Sequence, residues 1–241
     1  MNIFVSILCQ NKSTYTISIN KRLKESGIDS SLIVDSEINN DLLRNINFTG
    51  FNRLPDEVTN SHYTKITAWE KSFYNIHINN LIDKYDYFYF IEEDVYTKDT
   101  NTIFDIISYF NTFNADLISK LILFKEEQPE WPWWNIDHSY EKLFNDPHRS
   151  FNPLCRLSKK LVSLIFEFQK HNNTFYFHEI LFSSLCVDHH MIYHDYSYYP
   201  KINDYIGNIQ YRPNILVKDI LDSKIYHPVK HMKNLEVRID K

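Results

Sequence analysis

Glycine is scarce in this chain, with only 3 glycines among 241 residues. The dinucleotide fingerprint GxGxxG and the phosphate-binding loop GxxxxGK[ST] both need glycines at fixed spacing, and neither pattern is present. If a nucleotide binds to this protein, it is therefore not held by a glycine-rich loop.

Cysteine is also rare, and positive charge does not dominate. The chain has three cysteines, far apart in apolar stretches, which favours reduced thiols in the core: Cys9, Cys155 and Cys186. A net charge of −5 disfavours nonspecific binding to nucleic acid or to an anionic membrane.

The apolar run at 3–8 is too short for a membrane span and follows no basic segment. We therefore expect no signal peptide, no integral membrane segment and a cytoplasmic location.

Aromatic residues are abundant, at 16% of the chain with 17 Tyr, 17 Phe and 4 Trp. Such rings fill cores, and they also form flat surfaces on which sugars and bases stack. Three of the four tryptophans lie at 131, 133 and 134, in a long proline-containing segment at 126–152 that shows no regular periodicity. Long loops of this kind in compact domains are often functional.

The hydrophobic pattern predicts an α/β fold. It begins with a strand at 2–8, a helix at 14–26 that Gly27 ends, and a strand at 31–34, and this β-α-β start favours a mostly parallel central sheet flanked by helices. The later predicted strands are at 48–54, 87–91, 115–123, 153–156 and 174–177, and the predicted helices are at 41–45, 61–82, 100–110, 158–170 and 179–187. We expect one Rossmann-like domain over 1–241.

Three acidic residues, Glu92-Glu93-Asp94, follow directly after the aromatic strand at 87–91. Side chains alternate along a strand, so Glu92 and Asp94 are predicted to point the same way and Glu93 the other way. Two carboxylates on one side can hold Mg²⁺ or Mn²⁺ and leave positions for phosphate oxygens. The alternative is a solvated acidic terminus beside a helix N-terminus, which needs no ligand.

This buried strand followed by Glu-Glu-Asp resembles the D-x-D signature of GT-A-fold, nucleotide-sugar-dependent glycosyltransferases. The resemblance implies that Asp94 is the main ligand of a metal that bridges the donor diphosphate, and that Glu92 faces the donor. Glu93 stands where the family more often has Asp, and its role stays open. The resemblance also implies a nucleotide-sugar half at about 1–125 and an acceptor-binding and closing half at about 126–241. A UDP-sugar is the expected donor, with a GDP-sugar as the alternative.

Four further positions match places where the family contacts its donor or metal. Asp35 follows the second strand and is expected near the base or ribose, although an Asx turn would explain it equally well. Lys65 is expected near the diphosphate, with Lys71 a weaker candidate, and both also fit a solvated helix face. His227, before Pro228, is expected to close the metal site, and the alternative is an exposed terminal histidine.

The same resemblance assigns the acceptor side of the reaction. Glu179, at the start of an apolar helix, matches the general base of inverting members, and the alternative is a glutamate that stabilises the helix N-terminus. Trp131, Trp133 and Trp134 are expected to stack on an acceptor sugar, or alternatively to anchor the loop to the core.

The sequence therefore predicts a metal-dependent glycosyltransferase that moves a sugar to a hydroxyl of a saccharide or glycoconjugate, by inversion if Glu179 is the base. One alternative is a phosphohydrolase that uses residues such as His189 and His190. A nucleotidyltransferase is disfavoured because no glycine occurs at 9–13, after the first strand. A third interpretation is a noncatalytic carbohydrate-binding module. The sequence does not predict the oligomeric state.

Overall fold

The centre of the fold is a mixed β-sheet with helices on both faces. The structure is a computed structural model that describes residues 1–35, 37, 67–135, 140–172 and 175–229. Its strands are β1 (Ile3–Cys9), β2 (Asp29–Val34), β3 (Tyr87–Glu92), β4 (Leu117–Ser119), β5 (Ile122–Phe124), β6 (His148–Ser150), β7 (Leu154–Ser158), β8 (Tyr193–Asp195), β9 (Ile206–Ile209) and β10 (Ile225–His227). Its helices are α1 (Thr14–Glu25), α2 (Ala68–Ile78), α3 (Asn101–Phe110), α4 (Tyr140–Leu143), α5 (Lys159–Asn172), α6 (His178–Asp188) and α7 (Ile202–Tyr205).

Within the described residues, the central sheet has the strand order β2-β1-β3-β7-β4-β8. β1 is parallel to β2 and to β3, and β4 is parallel to β8, but β7 runs antiparallel to both of its neighbours. The prediction of a mostly parallel sheet is therefore wrong, because β7 enters between β3 and β4 in the opposite direction. Two small sheets accompany it: parallel β9–β10 and antiparallel β5–β6.

Alternation along β3 divides the core into two layers. Phe88 and Phe90 pack with α2, α5 and α6 on one face of the sheet. Tyr89 and Ile91 pack with α1 and α3 on the other face. Because β3 is covered on both faces, it reads as a continuous apolar run rather than as an alternation of apolar and polar residues.

Local signals define the start and end of α1. The hydroxyl of Ser13 accepts a hydrogen bond from the backbone N–H of Thr16, and the Thr16 hydroxyl accepts one from the N–H of Ser13, which forms a capping box. Gly27 then adopts φ +78°, and the N–H of Ile28 bonds back to the carbonyl of Leu23. The predicted helix at 14–26 is confirmed to within one residue.

Other predicted elements differ from the structure. The strand predicted at 115–123 is two short strands, β4 and β5. The described part of the strand predicted at 174–177 is not a strand, because Phe175 and Tyr176 pack into the core without joining the sheet. The segment at 126–152, predicted to be irregular, contains β6. The predictions at 41–45 and 48–54, and the first part of the helix predicted at 61–82, lie outside the described residues.

The prediction made from the cysteines agrees with the structure. All three cysteines are free and buried, as expected for core thiols. Among the described residues, no helix combines the length and the apolar character that crossing a membrane requires.

Candidate functional site

The carboxyl end of β1 lies where the strand order of the sheet reverses. β2 and β3 lie on opposite sides of β1, with Leu8 paired to Glu92 and Cys9 paired to Val34. Ligands of open α/β sheets bind outside the carboxyl ends of strands at such a switch point. The acidic triplet follows β3 at this position.

A tight turn after β3 brings two of the three acids together. The N–H of Val95 bonds to the carbonyl of Glu92 at 3.0 Å, so the chain reverses over residues 92–95. Glu92 and Asp94 both face His227, whereas Oε2 of Glu93 accepts a hydrogen bond from the N–H of Gln10 at 3.1 Å. The predicted directions are confirmed, but the turn rather than strand alternation produces them, since β3 ends at Glu92.

β10 brings His227 to these acids from a distant part of the sequence. Tyr96 and Tyr226 exchange two backbone hydrogen bonds of 2.8 Å, and the N–H of Val229 bonds to the carbonyl of Asp94 at 3.0 Å. These bonds hold β10 against the segment that follows β3. His227 Nε2 then lies 3.1 Å from Asp94 Oδ1 and 3.4 Å from Glu92 Oε2.

The imidazole of His227 is fixed from its other side. Nδ1 lies 3.0 Å from the carbonyl oxygen of Gln210, and because a carbonyl only accepts, Nδ1 carries the donated proton. Burial alone would lower the pKa of His227, but the hydrogen bonds and charges of Asp94 and Glu92 outweigh it and raise that pKa to about 9. Without a bound metal, a protonated His227 therefore offsets part of the negative charge of the two acids.

The acid–histidine cluster of Glu92, Asp94 and His227 has the chemistry of a divalent-metal site. One ligand atom from each residue lies within 4.8 Å of the others. Carboxylate oxygens suit Mg²⁺ and Mn²⁺, and imidazole is a common ligand of transition metals. The bond from His227 Nδ1 to a backbone carbonyl is the contact that usually orients a metal-ligating histidine. The residues present therefore fit a metal such as Mn²⁺.

Trp69, on α2, connects this cluster to the start of α6. Its indole Nε1 donates to Glu92 Oε1 at 3.0 Å. Its ring stacks on His178, with centroids 4.0 Å apart and an interplanar angle of 15°. Burial lowers the pKa of His178 to about 4, so His178 is a neutral ring at neutral pH. The next residue along α6 is Glu179.

A pocket of about 150 Å³ lies beside the cluster. Its walls include Trp131, Arg149, Phe151, Glu179 and Gln210. The ring of Phe151 meets the His227 ring edge to face at 5.5 Å, and Gln210 supplies the carbonyl that orients His227. The pocket and the acid–histidine cluster therefore share walls.

Glu179 is the acidic side chain that lines this pocket, and it is only 8% exposed. Burial, followed by the negative charge of Glu92, raises the pKa of Glu179 to about 8, against the smaller opposing effects of Arg149 and His227. A carboxyl group with such a pKa can accept or release a proton near neutral pH. This is the property that a general base requires.

Asp35 lies at the same edge of the sheet, where it is in contact with the buried side chain of Lys71. The N–H of Asp35 bonds to the carbonyl of Cys9, and Lys71 Nζ contacts the backbone oxygen of Asp35 and lies 3.7 Å from its Oδ1. Burial lowers the pKa of Lys71, and the charge of Asp35 partly offsets that effect. Lys71 therefore holds the end of β2, while Lys65 lies outside the described residues.

The three tryptophans of the loop occupy different environments. Trp131 and Trp133 are each 7% exposed and Trp134 is 1% exposed, so all three rings pack largely into the core. Of these, Trp131 lines the pocket. Trp134 donates its indole N–H to the carbonyl of Gln128 at 2.9 Å and so helps to anchor the loop.

The histidines considered for a phosphohydrolase lie elsewhere. His189 and His190 are exposed at the end of α6, and His194 is in β8, at the opposite edge of the sheet from β2. Among the described residues, the metal-binding geometry is found at Glu92, Asp94 and His227 and does not include these histidines.

Sequence reasoning missed Trp69, Arg149 and Phe151. Trp69 lies in the helix predicted at 61–82, and an apolar residue in such a helix indicates a buried ring but not the acceptor of its indole N–H. Arg149 and Phe151 lie at the end of the segment predicted to be irregular. The sequence around them, 'NDPHRSFN', is mostly polar and gives no signal of a buried cation.

Comparisons with known proteins found only distant structural similarity. No protein-family model and no curated sequence matches the chain. Among solved structures it is similar to mouse xyloside xylosyltransferase 1 in its apo form, at 11% identity over 94% of this chain and 96% of that chain, with a TM-score of 0.37. It is also similar to A197 from STIV, at 9% identity over 73% of this chain and 82% of that chain, with a TM-score of 0.31. Structural similarity at this level assigns no function, so we infer the function from the chemistry of the site.

Proposed function

We propose that this protein is a metal-dependent glycosyltransferase that uses a nucleotide-diphosphate sugar as its donor. The observation that supports the proposal most directly is the acid–histidine cluster, with its ligand atoms within 4.8 Å of one another beside a pocket that contains Glu179. Carboxylates at the carboxyl ends of central strands, next to a ring-sized pocket, suit a diphosphate joined to a sugar.

Glu92, Asp94 and His227 would hold Mn²⁺ or Mg²⁺. When bound, the cation would offset the negative charge that develops on the departing nucleoside diphosphate. Trp69 fixes one oxygen of Glu92, and Gln210 fixes the ring of His227, so both ligands are oriented before a metal arrives.

Glu179 would take the proton from the acceptor hydroxyl as that oxygen attacks the anomeric carbon of the donor sugar. The new carbon–oxygen bond forms on the face opposite the departing diphosphate, so the anomeric configuration is inverted. The buried position of Glu179 supports this role, because burial raises its pKa to about 8 and makes its carboxylate a stronger base than an exposed one. Trp131 would contribute the flat surface against which a sugar ring packs.

The test is a titration of the full chain with Mn²⁺, followed by UDP- and GDP-sugars with and without Mn²⁺. We expect Mn²⁺-dependent nucleotide binding and slow release of the donor sugar to water. Asp94→Asn should abolish both, while Glu93→Gln, which changes the acid beside Gln10, should retain them. Phosphate release from simple phosphoesters would instead support a hydrolase, and saccharide binding without metal or nucleotide binding would support a carbohydrate-binding module.

A further inference from the structure

Arg149 places a buried positive charge in the wall of the pocket. It lies in β6, is only 8% exposed, and its guanidinium carbon lies 4.7 Å from the centroid of the Trp131 ring. Its Nε is buried and has no hydrogen-bond partner among the described residues. Burying the Nε of a guanidinium without a hydrogen-bond partner is costly, because no protein group replaces the water that this atom lost.

Carboxylates near Arg149 do not neutralise it through contact. Glu179 and Glu130 act on Arg149 only through their charge, without a hydrogen bond. Glu130 is exposed, and burial raises the pKa of Glu179 to about 8, so near neutral pH Glu179 carries less negative charge than an exposed glutamate does. Lys120, also in the pocket wall, adds a second positive charge.

Arg156 is also deeply buried, and its contacts are those of an arginine with a structural role. Arg156 is fully buried, and its two Nη atoms donate to the backbone carbonyls of Phe110, Phe113 and Ala115. Its guanidinium also lies over the ring of Tyr87. Arg149 shares with Arg156 the ring contact and a buried Nε without a partner. In the part of the chain that the structure describes, however, the Nη atoms of Arg149 donate to no carbonyl, and its side chain borders an open pocket instead.

We propose that this pocket binds a six-membered sugar ring that carries an oxyanion group, either a carboxylate or a phosphate, and that Arg149 selects that group. A cavity of about 150 Å³ holds benzene; this pocket has that volume but is open to solvent, so a larger sugar ring can enter it with some of its substituents outside. The planar guanidinium can donate two parallel hydrogen bonds to a carboxylate or phosphate. A neutral sugar would leave the arginine without a partner. The inference rests on the proposed function for its assignment of the pocket to a substrate sugar.

The test is binding of glucuronate, glucose 6-phosphate and glucose to the full chain in EDTA, measured by ligand-observed NMR. We expect at least one charged sugar to bind about 10-fold or more tightly than glucose, since charge-assisted hydrogen bonds are the strong ones. Whichever of the two is preferred identifies the oxyanion. Arg149→Met should remove the preference, with a loss of about 10- to 100-fold, and Arg149→Lys should lose less because it keeps the charge. Arg22→Met, on the exposed surface of α1, is the control and should behave as wild type.

Equal binding of all three sugars by the wild-type protein would overturn the inference without any variant. An unchanged preference in Arg149→Met would also overturn it. Circular dichroism shows whether Arg149→Met is correctly folded. Mn²⁺ binding, measured separately, distinguishes the two ideas, because a wild-type protein that prefers a charged sugar but binds no Mn²⁺ would contradict the proposed function alone.

Discussion

Nε1 of Trp69 donates a hydrogen bond of 3.0 Å to Oε1 of Glu92. The same indole ring stacks on His178, the residue before Glu179. One side chain of α2 thus contacts both a proposed metal ligand and the start of the helix that carries the proposed base. We infer that Trp69 positions Glu92, which leaves Oε2 directed at His227.

Replacing Trp69 with Phe should weaken Mn²⁺ binding about 10-fold while the protein stays folded. The phenyl ring can still pack on Phe90 and His178, but Glu92 loses its donor, and loss of such an outer contact typically costs 10- to 100-fold in metal affinity. Isothermal titration calorimetry with Mn²⁺ measures the effect. Trp134→Phe is the matched control, because it removes an indole hydrogen bond to Gln128 away from the cluster; equal losses in both variants would refute the positioning role.

Glu179→Gln should leave donor binding unchanged and slow sugar transfer by about 10²- to 10⁴-fold, the usual contribution of a general base. The amide has nearly the shape of the carboxyl group but cannot take up a proton. Single-turnover transfer at saturating donor is the measurement. Glu126→Gln, at an exposed position, serves as the control. If Glu179→Gln turned over at the wild-type rate, Glu179 would have no part in the chemistry.

The raised pKa of Glu179 also predicts how stability depends on pH. Its pKa is about 8 in the folded protein against an ordinary value of 4.5, so between these values the folded state binds more protons than the unfolded state. Stability contributed by this group is therefore present below pH 4.5 and is lost as the pH rises to about 8. In EDTA, Tm should fall less steeply with rising pH in Glu179→Gln than in wild type. Parallel Tm profiles for the two proteins would contradict the buried, protonated state of Glu179.

Trp131→Leu should weaken saccharide binding about 3- to 10-fold, whereas Trp133→Leu should not. Both rings are 7% exposed, but Trp131 lines the pocket and Trp133 does not. Stacking on an aromatic ring is worth on the order of 1 kcal/mol beyond its buried area. Titration with the preferred charged sugar compares the two variants, and a larger effect of Trp133→Leu would mean that the sugar lies elsewhere.

Local features of the sequence predicted α1 and β1 to β3, and strand alternation gave the correct directions of Glu92, Glu93 and Asp94 although a turn produces them. The features that predicted the elements depend on short-range physics: a left-handed glycine at Gly27 that ends α1, and an apolar run long enough to be covered on both faces. Such signals survive in a single sequence because the residues that interact are only a few positions apart.

The orientation of β7 and the contacts of Trp69 and Arg149 could not be predicted in this way. Strand orientation depends on how a connection returns to the sheet, and the segment before β7 gave no periodic signal. An apolar periodicity predicts that a tryptophan ring is buried, but it does not say which acceptor its N–H meets. A lone arginine likewise does not reveal whether carbonyls will surround it, as they do Arg156, or an open pocket, as at Arg149.

The sequence by itself determined that three acidic residues, at 92–94, follow a buried strand, and it indicated His227 as a candidate to complete a metal site with them. Only the tertiary structure decided that His227 lies beside these acids. Backbone hydrogen bonds between Tyr96 and Tyr226 and between Asp94 and Val229 hold it there. The physical reason is the distance along the chain between the residues involved. Charge and apolarity are properties of each residue, whereas a metal site needs atoms from distant segments within a few ångströms of one another. That proximity exists only once β10 has packed beside the turn after β3.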